Sequence, residues 1–175
     1  MNSIRYKDPS GLIYWLSADR TLHRTDGPAK IHVDGHKEWY QYGQRHRTDG
    51  PAVEYDDKHV EWYSNGALHR VGGPAVSWGD RIEWWFEGYR HRIDGPAVIQ
   101  SAGNVYWYQQ GKLHRDDGPA AEQIDGTVYW YQNGKLHRDD GPAVILDDGR
   151  KEWWFKGKQY DQFTHWLMTN ATVTS

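Results

Sequence analysis

Cysteine is absent from the 175 residues, which excludes disulfides, thiolate nucleophiles and Cys-ligated zinc. Aliphatic side chains are scarce. Leu, Ile, Val and Phe make up roughly 17% of the chain, where disorder becomes a live alternative. No apolar run approaches the roughly 18 residues of a membrane span, so membrane insertion is not expected. Residues 1–8 hold no apolar h-region, so no secretory signal is expected and the expected compartment is the cytosol. A net charge of −3 gives no basic excess, and nucleic acid is not an expected partner. What is present resolves the first ambiguity. Aromatics are 15% of the chain, with 11 Trp and 12 Tyr, and disordered chains are poor in rings. The chain is expected to fold around rings, with its 19 Gly marking many turns.

The rings are periodic. Gly-Pro-Ala recurs with proline at Pro28, Pro51, Pro74, Pro96, Pro119 and Pro142, a beat of about 23 residues. A His-Arg pair precedes each, from His23-Arg24 to His137-Arg138. An adjacent aromatic pair keeps the same beat, from Tyr14-Trp15 to Trp153-Trp154. Each unit reads as β-structure: a short strand after the proline, a turn, an aromatic strand, then a two-residue hairpin turn such as Asn65-Gly66 or Asn133-Gly134. The fold class is all-β, a single-domain array of about seven β-hairpin repeats. Residues 1–13 form an N-terminal cap, 14–158 the repeats, 159–169 a short C-terminal capping helix and 170–175 a tail. Asp161 is placed to N-cap that helix, with Phe163, Trp166 and Leu167 on the side that covers the last hairpin.

Alternation along the aromatic strands separates two faces. Val60/Trp62, Ile82/Trp84, Val105/Trp107 and Val128/Trp130 are assigned to the core. The other face carries Tyr40, Tyr63, Trp85, Tyr108, Tyr131 and Trp154, often beside a glutamate such as Glu38 or Glu61, and is expected to be at least partly wet. Such rings suit protein interfaces, sugar stacking or cation cages, or they are simply packed.

The units resemble MORN repeats, which have the same length, an aromatic strand and an N-G-K-x-H-G segment. Asn133-Gly134-Lys135-Leu136-His137 and Gly111-Lys112-Leu113-His114 carry the likeness, with Arg and then x-D-G-P-A where MORN repeats place glycine. The resemblance covers about four fifths of the chain and is to a divergent group from bacteria, phages and large DNA viruses. It implies a hairpin array with an interaction role, antitoxin-like or inhibitory, and no reaction.

His46, His69, His91, His114 and His137 are read as turn residues. Equivalent points on successive hairpins lie roughly 9–10 Å apart, whereas ligands of one ion lie within about 4 Å of each other. No metal, cofactor or catalytic residue is therefore assigned. Each arginine is expected to pair with the aspartate two residues on, among them Asp26, Asp49, Asp94, Asp117 and Asp140. If the repeats are scaffold, function belongs where the pattern breaks. Gly72 replaces the usual aspartate, one residue is deleted near Gly79-Asp80, and arginine enters at Arg90. Trp78, Arg81, Trp85, Phe86, Tyr89 and Arg90 are the candidate partner-binding patch, a worn repeat being the other reading. The leading function is a non-enzymatic protein-binding module, an inhibitor, antitoxin-like protein or phage anti-defence factor acting on another protein. The alternative is a carbohydrate, nucleotide or other small-ligand binder using aromatic cages. An open sheet edge leaves self-association as a further option.

Overall fold

The computed structural model describes residues 3–56 and 58–170, and within them the chain is almost wholly antiparallel hairpin with one C-terminal helix, Gln162–Asn170. The tail expected over 170–175 falls outside the described residues from 171 onward. The chain divides into two compact units, Met1–Tyr89 and Arg90–Ser175.

In the first unit the sheet strands follow chain order: Ile4–Lys7, Ile13–Leu16, Lys30–Ile31, Lys37–Glu38, Val53–Glu54, His59–Glu61, Val76–Trp78 and Arg81–Glu83. The second unit continues the pattern from Val98–Gln100 to Lys158–Tyr160. Separate two-stranded hairpins flank this sheet, such as Tyr63–Ser64 with Ala67–Leu68 and Tyr131–Gln132 with Lys135–Leu136. The aromatic strand is thus broken in two at its first ring. There the Trp62 N–H leaves the ladder to donate to the Ala75 carbonyl of the next corner at 2.7 Å, and the Trp62 carbonyl accepts from His69 N at 3.0 Å. Trp39, Trp107 and Trp130 repeat this. After Trp153 no further corner follows, and Lys151–Phe155 runs unbroken.

The core is made of small residues. The corner alanines Ala29, Ala52, Ala75, Ala97, Ala120 and Ala143 are fully buried, with Val53, Val98 and Val144 beside them. Trp15, Trp39, Trp62, Trp107 and Trp130 are half-buried, and each of these five carries an arginine. The Arg24, Arg47, Arg70, Arg115 and Arg138 guanidiniums lie 3.9–4.3 Å from the ring centroids of Trp15, Trp39, Trp62, Trp107 and Trp130. Arg24, Arg47, Arg92, Arg115 and Arg138 also pair through Nε with the expected aspartates at 2.7–2.9 Å. Arg70, with Gly72 at the aspartate position, lies over Trp62 and donates to the corner carbonyl of Pro74 at 3.0 Å. The glycine before each proline exists for this guanidinium rather than for backbone freedom. A Cβ on Gly118 would meet Arg115 Cζ at 2.9 Å, with no left-handed φ involved.

The histidines reach one repeat onward. Each two-residue hairpin turn opens on a left-handed residue, Tyr42, Asn65, Glu87, Gln110, Asn133 or Lys156, at φ 48–51°, followed by a glycine also at positive φ. The N–H of that first residue donates to the Nδ1 of His23, His46, His69, His91, His114 or His137 respectively, at 3.1–3.2 Å. The following glycine N–H donates to the carbonyl just before the histidine, as Gly66 to Arg45 and Gly134 to Leu113, both 2.9 Å. Each imidazole therefore pins the turn of the next repeat, while each arginine holds its own corner.

The helix caps the last corner, but by a different side from the expected one. Asp161 accepts from Thr164 N at 2.9 Å as N-cap. His165, 3% exposed, faces the array, and its Nε2 donates to the Arg138 carbonyl at 2.7 Å. Phe163, Trp166 and Leu167 are exposed. The helix thus presents His165 to the array, and the three apolar residues are left exposed.

Gly118→Ala is expected to cost about 1 kcal/mol by lifting Arg115 from Trp107. In an Arg115→Ala background the same change should become neutral or stabilising, because Ala then only restricts the unfolded chain. Urea denaturation of the four proteins of this cycle checks the change of sign.

Candidate functional site

The groups that recur in every repeat are engaged in architecture, so chemistry not required by the fold lies at the variable positions. Most of these lie on the sheet face that holds Val53. Residues paired across antiparallel strands share a face, and Val53 pairs with both Glu38 and Glu61. That face is therefore interior at Glu38 and Glu83, while Glu61, Glu152 and the rings Tyr40, Tyr63, Trp85, Tyr108, Tyr131 and Trp154 stay partly exposed, as expected. Glu38 and Glu83 are 3% and 5% exposed. Conversely Ile82, on the face assigned to the core, is exposed. Polar partners make the burial of these glutamates tolerable. The aromatic-face residue two positions on donates to each glutamate: Tyr40 to Glu38 and Tyr63 to Glu61 at 2.9 Å, Trp85 to Glu83 at 2.8 Å, Trp154 to Glu152 at 2.9 Å. In the second unit Tyr106 and Tyr129 stand where glutamates would, and Tyr108 and Tyr131 are half-buried near them. Burial pushes the Tyr40, Tyr63 and Tyr131 phenols up from their ordinary value.

Glu38 has the densest surroundings. Its Oε1 lies 2.8 Å from His32 Nε2, 3.3 Å from Lys30 Nζ and 3.5 Å from His36 Nε2. Its Oε2 accepts from Arg45 Nη2 at 2.8 Å and from Tyr40. Arg45 occupies a position that is leucine in Leu68, Leu113 and Leu136, and it also lies 5.2 Å from the Tyr63 ring centroid. Burial alone would raise the Glu38 carboxyl. The hydrogen bonds from His32, Tyr40 and Arg45 and the guanidinium charge outweigh burial and hold it at about 2. His32, His36 and Glu38 each offer a ligand atom, all within 4.8 Å of one another. This set lies within one hairpin, so the spacing argument against ladder histidines does not reach it. The signal was in the sequence as His-x3-His-x-Glu across Asp34-Gly35.

Next to this cluster the hairpin tips of the first unit carry a row of rings. His32 stacks on His36 with centroids 3.5 Å apart, His36 on Tyr55 at 4.9 Å, and Tyr55 meets Trp78 edge-on at 5.3 Å. Trp78 also packs on His59 at 5.5 Å and donates from Nε1 to Glu61 at 3.2 Å. The equivalent tip residues of the second unit are Gln100, Gln123 and Leu146.

The six residues of the irregular repeat divide between faces. Trp78 pairs in register with Arg81 across the shortened turn Gly79-Asp80. Arg81 Nε and Trp85 Nε1 both reach Glu83, which gathers Trp78, Arg81 and Trp85 on the interior side. Phe86 follows Trp85 on the strand, so it points the other way. It packs on the His69 ring at 4.7 Å and is 44% exposed, and Tyr89 is 60% exposed. Arg90, in the second unit, lies 5.5 Å from the Tyr108 ring centroid.

Shallow clefts between successive corners complete the surface. One of about 490 Å³ lies among Arg24, Asp26, Trp39, Gln41, His46 and Arg47. Another, of about 620 Å³, lies between Asp139, Trp153 and the helix. Among the described residues no helix is long and apolar enough to cross a membrane. No protein-family model matches the chain, and no characterised protein is significantly similar to it.

Glu38→Gln is expected to lower stability by on the order of 3 kcal/mol at neutral pH, from a carboxyl held at about 2 against an ordinary 4.5. A depressed folded-state value stabilises above 4.5 and is lost as pH falls through about 2. The difference between wild type and variant should therefore be full at pH 6 and vanish near pH 2. Chemical denaturation across that range measures it.

Proposed function

We propose that the chain is a non-enzymatic protein-binding module, inhibitory or antitoxin-like in mode, whose contact surface centres on the outward hairpin residues Phe86 and Tyr89. The observation that carries this reading is their exposure, 44% and 60%, where the other flanking hairpins of the first unit present Gln41 with Gln44 and Ser64 with Ala67. Exposed rings amid polar neighbours are the common signature of an interface anchor, since rings supply most binding energy there.

Stacking of sugars or nucleobases on the tryptophans is less favoured, because arginines already lie about 4 Å over those rings. A ligand would have to displace a guanidinium that is also bonded to its aspartate. The same argument lowers the weight of the corner clefts as small-molecule sites. The repeated His, Arg and Asp side chains are tied to turns and corners, which leaves no repeated catalytic constellation among them.

A Phe86→Ala/Tyr89→Ala double variant should keep the wild-type circular dichroism spectrum and melting temperature. Tagged chain expressed in its native host should retain one stoichiometric protein, and the double variant should bind that purified protein at least tenfold more weakly, as expected for loss of two aromatic anchors. Equal affinity of the two proteins would overturn the reading. Saturable quenching of tryptophan fluorescence by a sugar or nucleotide alone would favour the small-ligand alternative instead.

A further inference from the structure

We propose that His32, His36 and Glu38 form a binding site for a divalent transition ion of the zinc class. The site is built by one hairpin. His32 N donates to the His36 carbonyl at 2.9 Å and Gly35 N to the His32 carbonyl at 3.0 Å, with Gly35 at φ 91°. That closure sets the two imidazoles side by side, and Glu38, two residues after His36, falls on the same face. Two imidazole nitrogens and one carboxylate oxygen are the donor types zinc takes, and three protein ligands leave a position for water.

Three further features fit a ligand set rather than a chance cluster. Glu38 is almost fully buried, so its carboxyl group is held at the base of the pair. Asp34 Oδ1 lies 3.3 Å from His36 Nδ1. A carboxylate on the far ring nitrogen orients a metal-binding imidazole and leaves the Nε2 lone pair for the ion. The combination also belongs to one hairpin alone. The equivalent pairs are Tyr55/His59, Trp78/Arg81 and, in the second unit, Gln100/Asn104.

The ion has one competitor and one ally. Lys30 Nζ sits 3.3 Å from the same Oε1 that would ligate, and it is a flexible cation able to swing to solvent. Arg45 holds Oε2 and keeps the carboxylate in place. On binding, the ion replaces the proton by which His32 Nε2 contacts Glu38, and the neutral imidazole keeps its proton on Nδ1 instead. His36 stacks on Tyr55, so an occupied site would also brace the ring row that leads to Trp78.

The test is isothermal titration of Zn2+ into chelator-stripped full-length protein. One ion per chain is expected, with His32→Ala and His36→Ala each abolishing it. Asp34→Asn should weaken binding by about tenfold. Lys30→Met should tighten it, an outcome that a purely structural cluster would not give. His59→Ala, outside the ligand set, should leave affinity unchanged. The variants are compared by circular dichroism. Should an alanine variant misfold, imidazole NMR of wild type replaces it, with only the His32 and His36 signals expected to move on adding Zn2+. No binding to wild type, equal binding by the folded histidine variants, or NMR shifts confined to other histidines would overturn the proposal.

Discussion

Every repeat depends on two backbone N–H groups at the tip of its flanking hairpin. Both residues there have positive φ, which turns their N–H groups toward the preceding repeat rather than across the hairpin. One finds the histidine Nδ1 and the other a carbonyl beside it. The imidazole must accept, so the array needs a side chain with a bare nitrogen at that distance, and histidine meets this need where lysine or arginine cannot. A hairpin this short is marginal alone. Docked by two hydrogen bonds onto its predecessor it becomes one step of a repeat array whose stability is shared between neighbours.

The second constraint is the corner. A bare glycine lets an arginine lie flat between the turn and a tryptophan, and the aspartate two residues before the proline fixes its Nε. This explains how a chain short of aliphatics holds together. Trp15, Trp39, Trp62, Trp107 and Trp130 are each covered by a guanidinium, and the tightly buried volume is filled by alanine and valine. The interior face can then carry glutamates, because arginine, tyrosine, tryptophan and histidine side chains reach them there.

Against this uniform frame, the first unit stands out by its substitutions. Lys30, His32, His36 and Arg45 gather on Glu38, and Tyr55 and Trp78 extend the rings along the hairpin tips. The second unit fills the corresponding tip positions with Gln100, Gln123 and Leu146. Protein contact and ion binding are thus proposed for different faces of one unit, Phe86 and Tyr89 outward and the His-His-Glu set inward. They can be tested separately.

The 23-residue beat, the hairpin turns, the Arg–Asp corner pairs and the capping helix were legible in the sequence, because each is a local pattern of residue type and spacing. The direction of the faces was not. Alternation shows that Glu61 and Trp62 point opposite ways, but which side is interior depends on Val53 pairing between Glu38 and Glu61. The same limit applied to the irregular repeat, where one patch of six residues is divided between faces, and to the helix, which packs by His165 and leaves Phe163, Trp166 and Leu167 exposed. Sequence by itself determined the repeating unit and its local bonds. Only the tertiary structure decided burial and convergence, because these depend on strand register and on neighbours about 20 residues away in the chain, which local spacing does not encode.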